Sequence, residues 1–476
     1  MSEPVAESRR PDPKRLGAVV LFGLAVYWLI PRPASVDLEG WRLLAVFSCA
    51  IAGLVIRPLA GGAVILICLV AAVLTGALGV DAALSGYGSK GVWLVVGALL
   101  IAKALIKTGL AKRIALWFVR HFGSKSSGIA YALILSDVTL ATMIPSNTSR
   151  SGGVILPIAR SLAELYGSHP GKTAGLLGTF LMAVIYQGEA VASAMFLTGQ
   201  AGNFIAADIA LSIANYELSW GRWSLAGIVP GLASIIGLVW IVSRLLPPEI
   251  QNTPRATEFA REELAKLGGM GHDQWITVGV FITVCGLWMT STIHSVPVAI
   301  AALLGASILI LTGVLTWDEV IREHSTWDIF VWYGGVISLG NSLSDAGVPS
   351  AFANAVSSGL GEMHWLPLLG ATLLVYFYAH YGLASITMHM LTMFPPFLLL
   401  LISRDAPLGL TVFLFACLAN LSAGLTHYGT VPGPIFFSQG YVSFADWWRV
   451  GFLVSIWNIV IWCTVGAAWW KLIGIW

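Results

Sequence analysis

From about Gly17 to the C-terminus, apolar windows recur along this chain, many of them long enough to cross a bilayer core of ~30 Å. At that depth backbone N–H and C=O groups find no water, so each window must satisfy its own polar groups, as a helix does. Composition agrees: 57% of residues are hydrophobic, 11% are charged, and mean hydropathy is +0.82. These values depart far from a soluble domain. The expected fold class is an all-α polytopic membrane protein.

Two windows carry the same interruption. YALILSDVTLATMIPSNTSRSGGVILPIAR (Tyr131–Arg160) and FYAHYGLASITMHMLTMFPPFLLLLIS (Phe377–Ser403) each hold a short polar knot. At an offset of 239, Ser146, Asn147, Thr148 and Arg150 fall on Ser385, Ile386, Thr387 and His389, and Pro157 falls on Pro396. Irregular polar backbone at membrane depth lines a buried site or a water-filled path. A matched pair of such breaks, one per half, is the strongest sequence pointer to a transporter binding site.

The repeat extends further. GVWLVVGALLIAKALIKTGL overlays IFVWYGGVISLGNSLSDAGV, and SAMFLTGQAGN (Ser193–Asn203) overlays SAGLTHYGTVPG (Ser422–Gly433). Spans are expected near Leu16–Ile30, Trp41–Ile56, Gly62–Val80, Gly91–Ile106, Trp223–Leu245, Trp275–Ile293, Pro297–Leu315, Trp327–Ser342 and Trp448–Leu472, with broken spans at Lys172–Tyr216 and Leu408–Phe437. That gives about 11 transmembrane helices plus two re-entrant hairpins, near 126–160 and 364–403. Residues 16–246 form one repeat, 247–274 a charged linker and 275–476 the second repeat.

Lys107, Lys112, Arg113, Arg120 and Lys125 precede the first hairpin, whereas AGVPSAFANAVSSGLGEMHW, before the second, has no Lys or Arg. The positive-inside rule puts the first hairpin on the cytoplasmic side and the second outside. Opposite faces for similar repeats mean inverted topology. The tail 1–15 and the linker fall inside, and MSEPVAESRRPDPKR lacks a signal peptide's cleavage site. The segment after Gly109 reads as an interfacial amphipathic helix, with Val348–Leu360 as its partner.

An anion in a low-dielectric cavity needs fixed donors. A half-helix that begins at mid-depth supplies them through its free N–H groups and positive dipole end. Ser146, Asn147 and Thr148, with Ser385 and Thr387, are capping types at two such starts. Thr198 and Gly199, and Thr426, His427, Gly429 and Thr430, open the second halves of the broken spans. Intramembrane charges add candidates. Arg150 can grip a carboxylate with two parallel bonds, and His389 occupies the matching position. Lys103 and Glu189 are further charge-compensating candidates. The simpler reading has Arg150 paired with Asp137, Lys103 snorkelling to the surface, and Ser, Thr and Asn merely satisfying bent backbone. The five cysteines lack metal spacing and imply no disulfide framework. No phosphate-cradling loop, cofactor site or nucleic-acid signature stands out. Sodium near Asn147 is the one metal considered.

Through PSNTSRSGGVILPI, YQGEAVASAMFLTGQAGN, YGLASITMHMLTMFPP and LTHYGTVPGPIFFSQGY the chain resembles the divalent anion/sodium symporter family. The likeness is greatest to its exchanger branch, the citrate/succinate and tartrate/succinate antiporters and the plastid 2-oxoglutarate/malate translocator. The resemblance implies inverted repeats, a homodimer with scaffold and transport parts, and elevator-type alternating access. It also implies that the two tips hold substrate carboxylates of the malate, succinate, 2-oxoglutarate, tartrate or citrate class. Ile386 departs from the pattern, because sodium-coupled members carry Asn there. The expectation is a dicarboxylate and tricarboxylate exchanger in a bacterial inner membrane. The rivals are a sodium-coupled symporter, an integral-membrane enzyme acting on an acidic substrate, and an anion channel.

Overall fold

A computed structural model describes residues 12–291, 293–351, 363–383 and 385–476. Helices account for nearly all regular structure, and the one β pairing among the described residues is an isolated bridge between Lys125 and Asn252. The expected tail up to residue 11 and most of the Val348–Leu360 segment lie outside the described residues.

The helices recur in order. Gly61–Leu74 and Val298–Leu311 stand 237 residues apart, as do the short helices Val80–Leu84 and Trp317–Ile321. Lys90–Lys107 is then matched by His324–Asp345, and Ser126–Ala141 by Trp365–Ala379. The first of these matched pairs runs antiparallel. Lys103, near the end of Lys90–Lys107, meets Glu323 at 2.6 Å, just before His324–Asp345 starts. At the other end, Gly86 and Tyr87 bond Ser338 and Val331 at 2.9 and 3.0 Å. Antiparallel equivalent helices are what an inverted repeat requires.

Apolar surface marks the lipid-facing belt. Leu29, Leu74, Ile293 and Leu311 are 80, 82, 82 and 85% exposed, a cost no water-soluble protein would carry so widely. Among the described residues, four helices are long and apolar enough to cross a bilayer alone: Leu38–Ile56, Trp220–Leu245, Leu408–Leu425 and Phe444–Leu472. A fifth arises if Val80–Gly88 and Lys90–Lys107, bent by 42°, count together. The helices at the remaining expected spans are shorter or more polar, such as Gly61–Leu74 and Val298–Leu311 at 14 residues each.

The helix Leu110–Phe122 follows Gly109, whose φ of +75° suits glycine. Its basic face is engaged by the linker, which folds into the helix Pro254–Lys266. Lys112 pairs with Glu263 at 2.9 Å, and Arg113 donates to the carbonyls of Leu267, Gly268 and Gly269 at that helix's end. Lys266 and Lys112 hold the Glu263 carboxyl below its usual range. The core of the molecule is Gly178–Met195 and Leu408–Ser422, the first halves of the broken spans, in which almost every residue is buried.

Candidate functional site

Each interruption expected from sequence is a real break. The first hairpin descends along Ser126–Ala141, unwinds through Thr142–Ser146 and restarts as a wide π-helical turn, Thr148–Ile155, that continues as Leu156–Leu165. Asn147 caps the restart, accepting from the Thr148 N–H at 3.0 Å. Ser146 accepts from the Ser149 N–H at 3.2 Å. The second hairpin descends along Trp365–Ala379 and restarts as Ile386–Ile402, where Ser385 caps Met388 N–H at 3.4 Å. The first N–H groups of such a restart have no intrahelical partner and face whatever lies ahead of the helix.

Breaking a buried helix frees carbonyls that must be satisfied. At the first broken span, between Gly178–Met195 and Ala201–Ala214, the Ser193 and Phe196 carbonyls accept from Asn203 Nδ2, each at 2.8 Å. The Ala194 carbonyl accepts from Trp223 at 3.0 Å, and the Gly199 carbonyl accepts from Arg150. At the second, after Leu408–Ser422, Tyr186 donates to the carbonyls of Ala423 and Thr426 at 2.9 and 3.1 Å, and Gln187 to that of Gly424 at 2.8 Å. His380 Nε2 bonds the Gly429 carbonyl at 2.8 Å. Asn420 donates to Asn203 at 2.8 Å and ties the two broken spans together.

The two hairpins meet on adjacent residues of the second break. Asn147 Nδ2 donates to Thr430 Oγ1 at 3.0 Å, and His380, at the tip of the second hairpin, holds Gly429. His380 and His389 share a proton between their Nδ1 atoms at 2.9 Å. Since the Gly429 carbonyl can only accept, His380 carries its proton on Nε2 and His389 donates. Neutral histidines then leave the buried Nε2 of His389 as a bare acceptor, with no hydrogen-bond partner among the described residues.

Several candidates are engaged by protein partners. Arg150 is fully buried, and its guanidinium is no open clamp. It donates to Asp137 Oδ1 at 3.0 Å, the Ile144 carbonyl at 2.8 Å, the Gly199 carbonyl and Ser193 Oγ at 3.1 Å. It is the brace that locks the first hairpin to the first break. Thr198 is likewise consumed: its hydroxyl bonds the Ala141 and Thr142 carbonyls, both at 2.9 Å, and accepts from Trp220 at 3.0 Å. Lys103 pairs with Glu323, away from the tips. The half-helix expected after Thr430 is only six residues, Pro432–Phe437, too short for an appreciable dipole. His427 packs among the rings of Tyr428, Phe437 and Phe444.

Other candidates stay at the meeting point. Ser146, Thr148, Ser385 and Thr387 are partly exposed at the tips. Thr426 Oγ1 is buried beside the second break with no hydrogen-bond partner among the described residues. Glu189 lies with Asp137 and Arg150, accepting from Ser193 Oγ at 3.1 Å. Gly199 and Gly429 cannot be enlarged cheaply, because a Cβ would lie 2.3 Å from the Ser193 oxygen and 2.7 Å from the Ala423 oxygen. Tyr186, Gln187, Asn203 and Asn420 went unranked in the sequence, although polar residues inside fully apolar helices are themselves a signal that something must be satisfied.

Comparison with known proteins fits this architecture. Residues 14–476 match the family model described as the sodium:sulfate symporter transmembrane region. Dicarboxylate transporter 1, chloroplastic, of Arabidopsis thaliana is 40% identical over 466 residues, covering 97% of this chain and 84% of the relative. The Escherichia coli inner membrane protein YbhI is 32% identical over 458 residues, covering 94% and 95%. The crystal structure of the Alcanivorax borkumensis YdaH transporter shares the fold at a TM-score of 0.53 and 14% identity, covering 82% of this chain and 87% of that one. The chain therefore belongs to the sodium:sulfate symporter family, the divalent anion/sodium symporters of the sequence reading, and is an integral-membrane transporter and not an enzyme.

Proposed function

We propose that the protein exchanges dicarboxylates and tricarboxylates of the malate, succinate, 2-oxoglutarate, tartrate or citrate class across a membrane, by elevator-type alternating access. The observation that carries this reading is the convergence of both hairpins on Gly429 and Thr430. Around that point stand the Ser146, Thr148, Ser385 and Thr387 hydroxyls, the Asn147 amide, the spare Thr426 hydroxyl and the starts of two restarting helices. All are neutral donors, suited to small carboxylates. Relatives named as dicarboxylate transporters support the substrate class.

Asp137 matches the charge of Arg150, so it is the second tip that favours exchange over sodium symport. Ile386 is 3% exposed and offers no side-chain oxygen where a cation would need one. The antiparallel matched helices support inverted repeats at 16–246 and 275–476, joined by the linker 247–274. In this reading the N-terminus and first hairpin are cytoplasmic, the second hairpin is external, and the protein is a homodimer in a bacterial inner membrane. Labelled succinate or 2-oxoglutarate uptake into proteoliposomes tests it. Uptake should require internal dicarboxylate and persist in choline; sodium-driven uptake into empty vesicles would instead make the protein a symporter.

A further inference from the structure

Away from the tips, a cavity of about 670 Å³ opens between Pro13–Leu29, Leu38–Ile56, Ala201–Ala214, His324–Asp345 and Ile386–Ile402. Its walls are mostly apolar, with Val26, Trp41, Phe47, Ile209, Val336 and Leu391 among them. Phe22 and Ile30, each 50% exposed on apolar helix surface, stand at its edge, so it opens to the surface of the molecule. The volume lies within the range of small-molecule sites, which are apolar with a few placed polar groups.

Among the described residues lining this cavity, Asp208 is the one that is charged. Tyr333 donates its hydroxyl to Asp208 Oδ2 at 2.6 Å, and Gly91 packs so close that a Cβ there would lie 2.6 Å from the same oxygen. No cationic side chain pairs with Asp208 among the described residues. Among the other acids within the apolar helices, Asp137 and Glu189 sit with Arg150 and Glu323 with Lys103, while Asp328 accepts from the Gly62 N–H at 3.0 Å. A carboxylate in such surroundings calls for a positive partner. The described residues supply none, yet leave an apolar space beside it.

We propose that this cavity binds an amphipathic organic cation, its ammonium against Asp208 and its apolar body along Val26, Phe47 and Ile209. The walls come from the first two helices on one side, and on the other from Ala201–Ala214 and Ile386–Ile402, which carry the first break and the second tip. An occupant spans both groups and holds them together. It therefore slows exchange without competing for the tips, a consequence that rests on the transport reading above.

The test uses the full chain in phosphatidylcholine nanodiscs, with 4-phenylbutylammonium as probe and 4-phenylbutanol and 4-phenylbutyrate as isosteric controls. Calorimetric titration should give saturable binding of the ammonium, at least tenfold weaker binding of the alcohol, and none of the carboxylate. Asp208→Asn should lose the preference for the ammonium over the alcohol. Ile209→Trp, which fills the cavity and leaves Asp208 in place, should lose binding of both and keeps the test decisive if Asp208→Asn does not fold. Equal affinity for ammonium and alcohol, or undiminished ammonium binding by either variant, would overturn the proposal. In proteoliposomes the ammonium should lower maximal exchange with KM unchanged. A wild type that binds the probe but exchanges nothing would sink the transport reading and leave the site standing.

Discussion

Arg150→Ala separates a brace from a substrate clamp. The substitution strands the Asp137 carboxylate, which is 2% exposed in the pair, and breaking a buried pair on one side costs about 3–5 kcal/mol. The Ile144 and Gly199 carbonyls also lose their donor, at about 1–3 kcal/mol each. These terms share one side chain and do not add, so a net loss of about 5 kcal/mol is expected, a large part of a typical stability of about 5–15 kcal/mol. Unfolding entropy of about 2.1 cal/mol/K per residue makes each kcal/mol roughly 1 °C for a chain of 476 residues, a drop near 5 °C. Thermal unfolding followed by size-exclusion fluorescence in detergent measures it. The double variant Asp137→Leu with Arg150→Met leaves no unpaired charge and should recover about 1–3 kcal/mol relative to the sum of the single changes. An Arg150→Ala protein that melts within 1 °C of wild type while losing all uptake would refute the brace and return the guanidinium to the substrate.

Asn147→Ala should abolish uptake with a melting shift of only about 1 °C, since a lost cap costs about 1 kcal/mol; retained uptake would take the first tip out of the site. Gly199→Ala should prevent expression of folded protein, because its Cβ meets backbone at 2.3 Å, whereas Gly153→Ala, with nothing within 4 Å, should be neutral by the same chromatography. Lys103→Met should keep uptake and lose about 1 kcal/mol or less, as its pair with Glu323 is partly exposed; abolished uptake would restore it as a charge-compensating group. His380→Ala should free the Gly429 carbonyl and cost about 1–3 kcal/mol with a raised KM, and an unchanged melting point would remove it from the second break.

What the sequence made legible was periodic or local. The two tips declare themselves because polar residues interrupt apolar windows, and the 239-residue offset carries Asn147 to Ile386, each at the very start of a restarting helix. Caps such as Ser385 depend on residues three or four away. What stayed hidden depends on pairing across the fold. Asp137 lies thirteen residues before Arg150, on the other arm of the same hairpin, and whether that guanidinium faces substrate or carboxylate is decided by how the arms close. Thr198 has the chemistry of a ligand and the position of a structural hydroxyl, because Trp220 and two carbonyls reach it first. The same physics separates the two classes of intramembrane polar group here. Those facing freed carbonyls, Asn203, Tyr186, Gln187 and His380, are used up in making the breaks possible. Only the groups beyond them, at the restarting helix ends and at Thr426, remain to bind anything. A break in a membrane helix therefore needs an inner set of donors before it can offer an outer one, and substitution of the inner set should always cost stability before it costs affinity.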